Sequence, residues 1–175
     1  VSFNIANPNE PGFFFNRHVN PGLLSFWGCA ALISRRAMDQ LRGFDSMIFV
    51  YMHELEFTIR LLDNGLGHLF LPGVVAYHMK PAGAATRSSE MAMKRCAFNR
   101  GYILSKLFPT GLLLAQVWWT FLGYARFGLR GPALALKQSA SFVKGLSAGW
   151  RNRATANHAT AKFYASYYKE FSPPN

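Results

Sequence analysis

Acidic residues are scarce where basic ones are most abundant. Residues 91–175 carry twelve Lys/Arg and a single acid, Glu170, whereas residues 1–90 hold seven of each sign. The whole formal net charge of +11 therefore belongs to the second half. Cysteine is nearly missing too: Cys29 and Cys96 are too few and too far apart for a zinc knuckle or a disulfide framework. Their apolar neighbours read both as small core residues, in a reducing compartment. No Asp-x-Asp occurs, and no Gly-rich loop of the P-loop or dinucleotide type. His53-Glu54-Leu55-Glu56 starts like a zincin helix, but Phe57 stands where H-E-x-x-H needs its second histidine. Repeats and low-complexity tracts are absent, and Val1–Asn20 is polar, with no apolar core of a signal peptide.

What is present argues for a folded chain. Half of the 175 residues are hydrophobic and 15% are charged, which excludes disorder and allows one respectable core. The first residue is Val1 rather than Met, as expected of a fragment or a processed product. A basic, aromatic-rich second half suits anionic lipid headgroups, phosphates or nucleic acid; a solvated basic face is the plain alternative.

Patterning along the chain predicts an extended loop over Val1–Gly22, with an aromatic patch at Phe13–Phe15. Phe26–Ser34 is a continuous apolar run of strand length, predicted as a buried strand. Arg35–Leu41 reads as a short helix closed by Gly43. Glu54–Asn64 reads as an amphipathic helix, with Leu55, Ile59 and Leu62 on one face and Gly65 beyond its end. His68–Leu71 and Val74–Tyr77 are strand segments around a Pro72-Gly73 break, and Lys80–Ser89 is a small-residue loop. Ser88 or Ser89 caps a helix running from Glu90 towards Phe108.

Leu107–Ala125 has no charged residue and carries Trp118, Trp119, Phe121 and Tyr124, diluted by Pro109, Gly111, Gln116, Thr120 and Gly123. Three readings are open for it: an interfacial or re-entrant helix, a buried core helix, or a span. Adjacent Trp residues with Arg126 and Arg130 just beyond suit an interface anchor. Leu134–Trp150 is a second amphipathic candidate, with Lys137 and Lys144 a heptad apart, and a polar tail with Tyr164, Tyr167 and Tyr168 follows Arg151.

The chemistry concentrates between Gly43 and His78. Two carboxylates, Glu54 and Glu56, fall at a helix start, and His78 ends a strand segment; together they suit one polar site. The positive end of a helix dipole favours an ionised carboxylate, the form that accepts a proton. Stabilising the helix start is the plainer role for Glu54, and hydrogen bonding the plainer role for His78. Gly28 permits close backbone approach, and Trp27 is suited either to stack on a sugar ring or to pack in a core.

The run GFDSMIFVYMHELEFTIRLLDNGLGHLFLPGVVAYH resembles the acceptor side of the catalytic domain of family-2 glycosyltransferases. There a GGFDE-x-FF-x-Y-x-ED-x-DL-x-x-RL-x-x-x-G segment precedes P-x-x-x-x-x-H. KRCAFNRGYILSKLFP, with Arg95, Asn99 and Arg100, is similar to the RNR…K-x-x-P helix that follows this domain in bacterial members, so the likeness spans Trp27 to Pro109. The resemblance implies a GT-A fold: an α/β, Rossmann-like sandwich, here a half-domain over 1–89 followed by basic helices over 90–175. It implies inverting transfer of a sugar, of the hexosyl or rhamnosyl kind, from a nucleotide-sugar donor to a glycan or lipid-linked acceptor in cell-surface polysaccharide or glycolipid synthesis. Glu54 takes the place of the family's general base, with His53 where the family has an acid. Glu56 holds the third acidic position and orders the acceptor pocket. Trp27, Gly28 and Cys29 fall beside the donor sugar. His78 takes the place of the histidine that ligates a divalent cation, Mn²⁺ or Mg²⁺, on the leaving diphosphate. The nucleotide-binding half and its Asp-x-Asp do not occur in the sequence, so the chain alone is expected to be inactive. The cytoplasmic face of the cell membrane is the implied location, with an anionic membrane surface as partner. Two other classes stay open: a non-catalytic membrane-interaction module derived from such an enzyme, and a nucleic-acid binder. No nucleic-acid motif supports the latter, and the apolar 107–125 run opposes it.

Overall fold

The computed structural model describes residues 1–6, 25–26, 28–79, 89–129 and 131–167. Of the expected Val1–Gly22 loop, residues 7–22 with the aromatic patch lie outside the described residues, as do Trp27, residues 80–88 of the Lys80–Ser89 loop, and Tyr168. The chain divides into two compact units, one from Val1–Met47 and His53–Ala85, the other from Ile48–Met52 and Thr86–Asn175. Among the described residues the structure is mainly helical, with few strands and no closed barrel.

In the first unit, β1 (Ser2–Ala6) pairs in parallel with β2 (Phe70–Tyr77). The start of the chain was expected to be a loop, but long-range pairing recruits it into a strand. The Ser2 N–H donates to Leu69 at 2.8 Å, and the register then runs from Ser2↔Phe70 to Ala6↔Tyr77. β2 passes through Pro72-Gly73 instead of breaking there. Phe3 pairs with Leu71 and Asn4 with Val75, so the three skipped residues form an irregularity that absorbs the proline.

The predicted buried strand over Phe26–Ser34 does not form. Residues 28–30 turn, and only Ala31 makes an isolated antiparallel bridge, to Ser2. Phe26 and Ala30 are buried while Leu32 is exposed, so the run contributes anchors to the core without becoming a strand. Cys29 is exposed and Cys96 half-buried, which corrects the expectation of two core thiols.

Helix α1 (Arg35–Leu41) begins where the Ser34 hydroxyl accepts from the Ala37 N–H, at 3.2 Å. It ends on two left-handed residues, Arg42 (φ 56°) and Gly43 (φ 73°), and the Gly43 N–H returns to the Met38 carbonyl. Helix α2 (His53–Asp63) buries Leu55, Glu56, Phe57, Thr58, Ile59 and Leu61. It is therefore a central helix covered nearly all round, and Leu62 is only half-buried. Phe57 and Leu61 join Phe26, Ala37 and Leu41 in one apolar cluster.

The second unit is built from α3 (Glu90–Leu107), α4 (Thr110–Gly128), α5 (Pro132–Arg151) and α6 (His158–Tyr167). Ser89 caps α3 through the Ala92 N–H, and Pro109 separates α3 from α4. Pro132 opens α5 at a position where its missing N–H costs nothing. The tail expected to be polar instead forms α6, started by Asn157, whose Oδ1 accepts from the Thr160 N–H. Its Tyr164 is fully buried.

The main packing in this unit is α3 against α5. Gly101 lies on the Phe142 carbonyl, Gly145 on the Phe98 carbonyl, and Gly149 on Tyr102 and Ser105. A Cβ at any of the three would overlap backbone oxygen or a buried hydroxyl. Arg153 closes the α3 end, donating to the Phe108 carbonyl at 2.9 Å and lying 4.4 Å from the Trp150 ring. Phe142 receives the edges of Phe121 and Tyr124 from α4, at 5.5 and 5.9 Å between ring centres.

Two predictions follow from this packing. Gly145→Val forces α5 away from the Phe98 carbonyl and should cost about 1–3 kcal/mol or more, read as a lower urea midpoint. Burial, opposed by the Arg100 charge, pushes the Tyr124 hydroxyl up from 10.0 to about 12. The fold thus favours neutral tyrosine. Its stabilisation is complete below pH 10 and is lost as pH rises through 12, by about 3 kcal/mol at most. Tyrosinate absorbance should show a late phase that Tyr124→Phe removes.

Candidate functional site

The sequence around α2 puts two carboxylates two positions apart, and a helix turns them to different sides. Glu56 points inward and its side chain is buried. Both of its oxygens accept from Arg60 one turn later, Oε1 from Nε and Oε2 from Nη2, each at 2.8 Å. Arg60 also donates to the Leu41 carbonyl at 2.7 Å and to the Gly43 carbonyl at 2.9 Å. Through Arg60, Glu56 thus holds the α1–α2 connection from inside. Arg60 was not singled out in the sequence, although the i, i+4 Glu–Arg spacing signals the pair.

Glu54 faces the other way. Its Oε1 accepts from the Gly28 N–H at 3.1 Å and lies 3.3 Å from His53 Nε2. The side chain is 16% exposed, so it is largely enclosed yet reachable. No partner stands on Oε2 among the described residues. A Cβ on Gly28 would sit 3.2 Å from Glu54 Oε1 and 3.4 Å from His53 Nε2, closer than most real contacts. Glycine at position 28 therefore lets backbone grip the carboxylate directly. The His53 ring packs edge-on to Phe44 at 5.6 Å, and its Nδ1 is buried with no hydrogen-bond partner among the described residues.

Glu54, His53 and Gly28 are thus brought together, with the exposed Cys29 next in sequence to Gly28. Trp27 lies outside the described residues. His78 follows directly on β2 and is half-buried, and no described contact ties it to Glu54. No three His, Cys, Asp or Glu side chains stand together as a metal site among the described residues. Those residues therefore do not by themselves build the cation site that the resemblance implies around His78.

The backbone entering α2 is strained. Tyr51 (φ 64°) and Met52 (φ 60°) are consecutive non-glycine residues in the left-handed region, immediately before His53. Each costs roughly 1–3 kcal/mol and persists only where the surroundings enforce it. Within the second unit the buried Asn99 donates to the Val50 and Tyr51 carbonyls, both at 2.7 Å. Nothing in local composition announced this, because neither residue is a type that favours the conformation.

Removing Glu56 as Glu56→Ala leaves the Arg60 guanidinium without its carboxylate, and should cost about 3–5 kcal/mol in urea unfolding. Glu54→Gln keeps the shape and the Gly28 contact and should change stability far less. No protein-family model, curated protein or solved structure matches this chain.

Proposed function

We propose that this chain is the acceptor-side part of an inverting glycosyltransferase of the GT-A kind, with Glu54 as its general base. The observation that carries the reading is the division of labour on α2: Glu56 is engaged by Arg60 through both oxygens, while Glu54 is held at Oε1 and has no partner on Oε2 among the described residues. A base for hydroxyl activation needs that arrangement, fixed in direction and accessible to one incoming proton. The likeness of the Gly43–His78 run to family-2 enzymes supplies the reaction type. A parallel strand pair with exposed Leu71, Val74, Val75 and Tyr77 also suits a piece of a larger parallel sheet, since such sheets are normally covered on both faces.

In this reading an acceptor hydroxyl approaches Glu54 Oε2. Its oxygen attacks the anomeric carbon of the donor sugar as its proton passes to Glu54. The bond from that carbon to the diphosphate oxygen breaks on the opposite face, and the nucleotide diphosphate leaves with the electron pair. The configuration inverts. Gly28 and His53 orient the carboxylate by holding Oε1, and His53 stands where the family has an acid. A divalent cation, when bound, would neutralise the leaving diphosphate; His78 is the ligand-type side chain the resemblance assigns to it. The acceptor class is a glycan or lipid-linked glycan of the cell surface, and the location is the cytoplasmic face of the membrane, peripherally bound. A second reading, a non-catalytic membrane module, draws support from the apolar exposed face of α4.

In the complete enzyme, Glu54→Gln should lower kcat by about 10²–10⁴-fold while donor binding stays within about twofold. The check is sugar transfer from labelled donor beside calorimetric donor binding. A near-wild-type rate removes Glu54 from the mechanism. Donor binding that is undetectable in the wild type favours the membrane module.

A further inference from the structure

Helix α4 is built inside out. Its buried positions include two polar side chains, Gln116 and Thr120, beside Leu113. Gln116 donates to the Ala165 carbonyl of α6 at 3.2 Å, and the Thr120 hydroxyl donates to the Gln116 carbonyl at 2.8 Å. The opposite side exposes Leu114, Ala115, Trp118, Trp119 and Ala125, and Leu129 follows the helix at 88% exposure. These positions recur at helical spacing, so they form one stripe along α4. A helix shaped by water alone would present the reverse pattern.

Helix α5 repeats the theme. Leu136, Val143 and Trp150 are exposed at seven-residue intervals, and Lys137, Lys144 and Arg151 are the next residue after each. Lys137 is engaged by Glu90 at 2.9 Å, which leaves Lys144, Arg151 and the α4 residue Arg126 as cations beside the apolar lines. No helix among the described residues is long and apolar enough to cross a membrane.

We infer that the exposed face of α4, with the Leu136–Val143–Trp150 line of α5, docks on an anionic lipid bilayer, the helices lying in the plane of the interface. Indole side chains favour the headgroup boundary, exposed Leu enters the acyl edge, and the neighbouring cations meet anionic headgroups. Charge complementarity selects this occupant: residues 91–175 offer twelve cations against one acid. The inference rests on the membrane association proposed above but not on the transfer chemistry.

The test is co-sedimentation of the full chain with phosphatidylcholine vesicles, with and without phosphatidylglycerol, in the absence of any nucleotide sugar. The chain should pellet with the anionic vesicles, and its Trp emission should shift to the blue and be quenched by brominated lipid. Trp118→Ser combined with Trp119→Ser should weaken binding at least about tenfold, with the circular dichroism unchanged. Arg126→Gln and Lys144→Gln should each weaken it by about fivefold. Failure of the wild type to pellet overturns the inference, as does undiminished binding by the double Trp variant. A concentration-dependent dimer that the Trp variant abolishes, without vesicle binding, would assign the face to a second copy and overturn it too. Because no sugar donor is present, each of these failures leaves the transfer reading standing.

Discussion

The buried Glu56–Arg60 pair is the interaction on which the first unit depends. Its two oxygens and the guanidinium fork match in a bidentate contact, and the remaining donors of Arg60 collect the Leu41 and Gly43 carbonyls. Those carbonyls sit at the end of α1, where a helix leaves acceptors without partners. One cation therefore satisfies the buried acid, ends α1 and fixes α2 against the turn that precedes it. A buried pair of this kind gives little net stability over a hydrophobic replacement, but losing one member is costly, which makes it a strong constraint on conformation. Since α2 turns about 100° per residue, fixing Glu56 inward also fixes Glu54 on another side. The orientation of the candidate base follows from the placement of its buried, ion-paired neighbour.

Polar side chains order the second unit in a comparable way. Asn99 spends both amide hydrogens on consecutive carbonyls of the strained Val50–Tyr51 segment, and Gln116 joins α4 to α6. Buried amides that satisfy backbone in this manner select one arrangement, because any slip would leave them unpaired. The glycines of α3 and α5 act differently: they bring backbones so close that side chains cannot intervene. Carbonyl-rich surfaces and small residues replace the interdigitated Leu and Ile expected of a water-soluble helix pair. This leaves large apolar residues such as Leu136 and Trp150 free to point outward.

The helices were legible because their signals are local. Ser89 caps where expected, and Gly43 and Gly65 take the left-handed positions that end α1 and follow α2; Ser34, Pro109 and Pro132 add local signals of the same kind at the starts of α1, α4 and α5. The strands were not, because their partners lie far along the chain. SFNIA becomes β1 only by meeting β2 nearly seventy positions later, whereas the more apolar FWGCAALIS turns over 28–30, where the Gly28 N–H bonds a carboxylate, and reaches the first strand only through an isolated bridge from Ala31 to Ser2. Glu54 stood out as a candidate through its motif; its opposition to Glu56 did not, since spacing of two says only that the faces differ. The paired left-handed residues Tyr51 and Met52 carried no signal at all. His158–Tyr167 escaped notice because its apolar face answers to a single buried tyrosine and small alanines.

The histidine before Glu54 is the main departure from the resembling family, and the geometry gives it a physical rationale. The neighbouring ring places Nε2 at 3.3 Å from Glu54 Oε1. A carboxylate reaching the same point would bring two negative charges into a largely enclosed site, and like charges at that separation disfavour joint ionisation. An imidazole there presents a donor when its Nε2 carries the proton, and adds no second carboxylate beside Glu54. Glutamate in place of the shorter aspartate then lets the carboxylate span from the helix to the Gly28 N–H through Oε1, with no partner on Oε2 among the described residues. The two departures make sense together: the longer acid reaches a backbone donor, and the histidine steadies the same oxygen from the side. Under the proposed reading, the pair His53–Glu54 is a base in which one carboxylate, held by the Gly28 N–H with the imidazole 3.3 Å away, stands where the family has two acids.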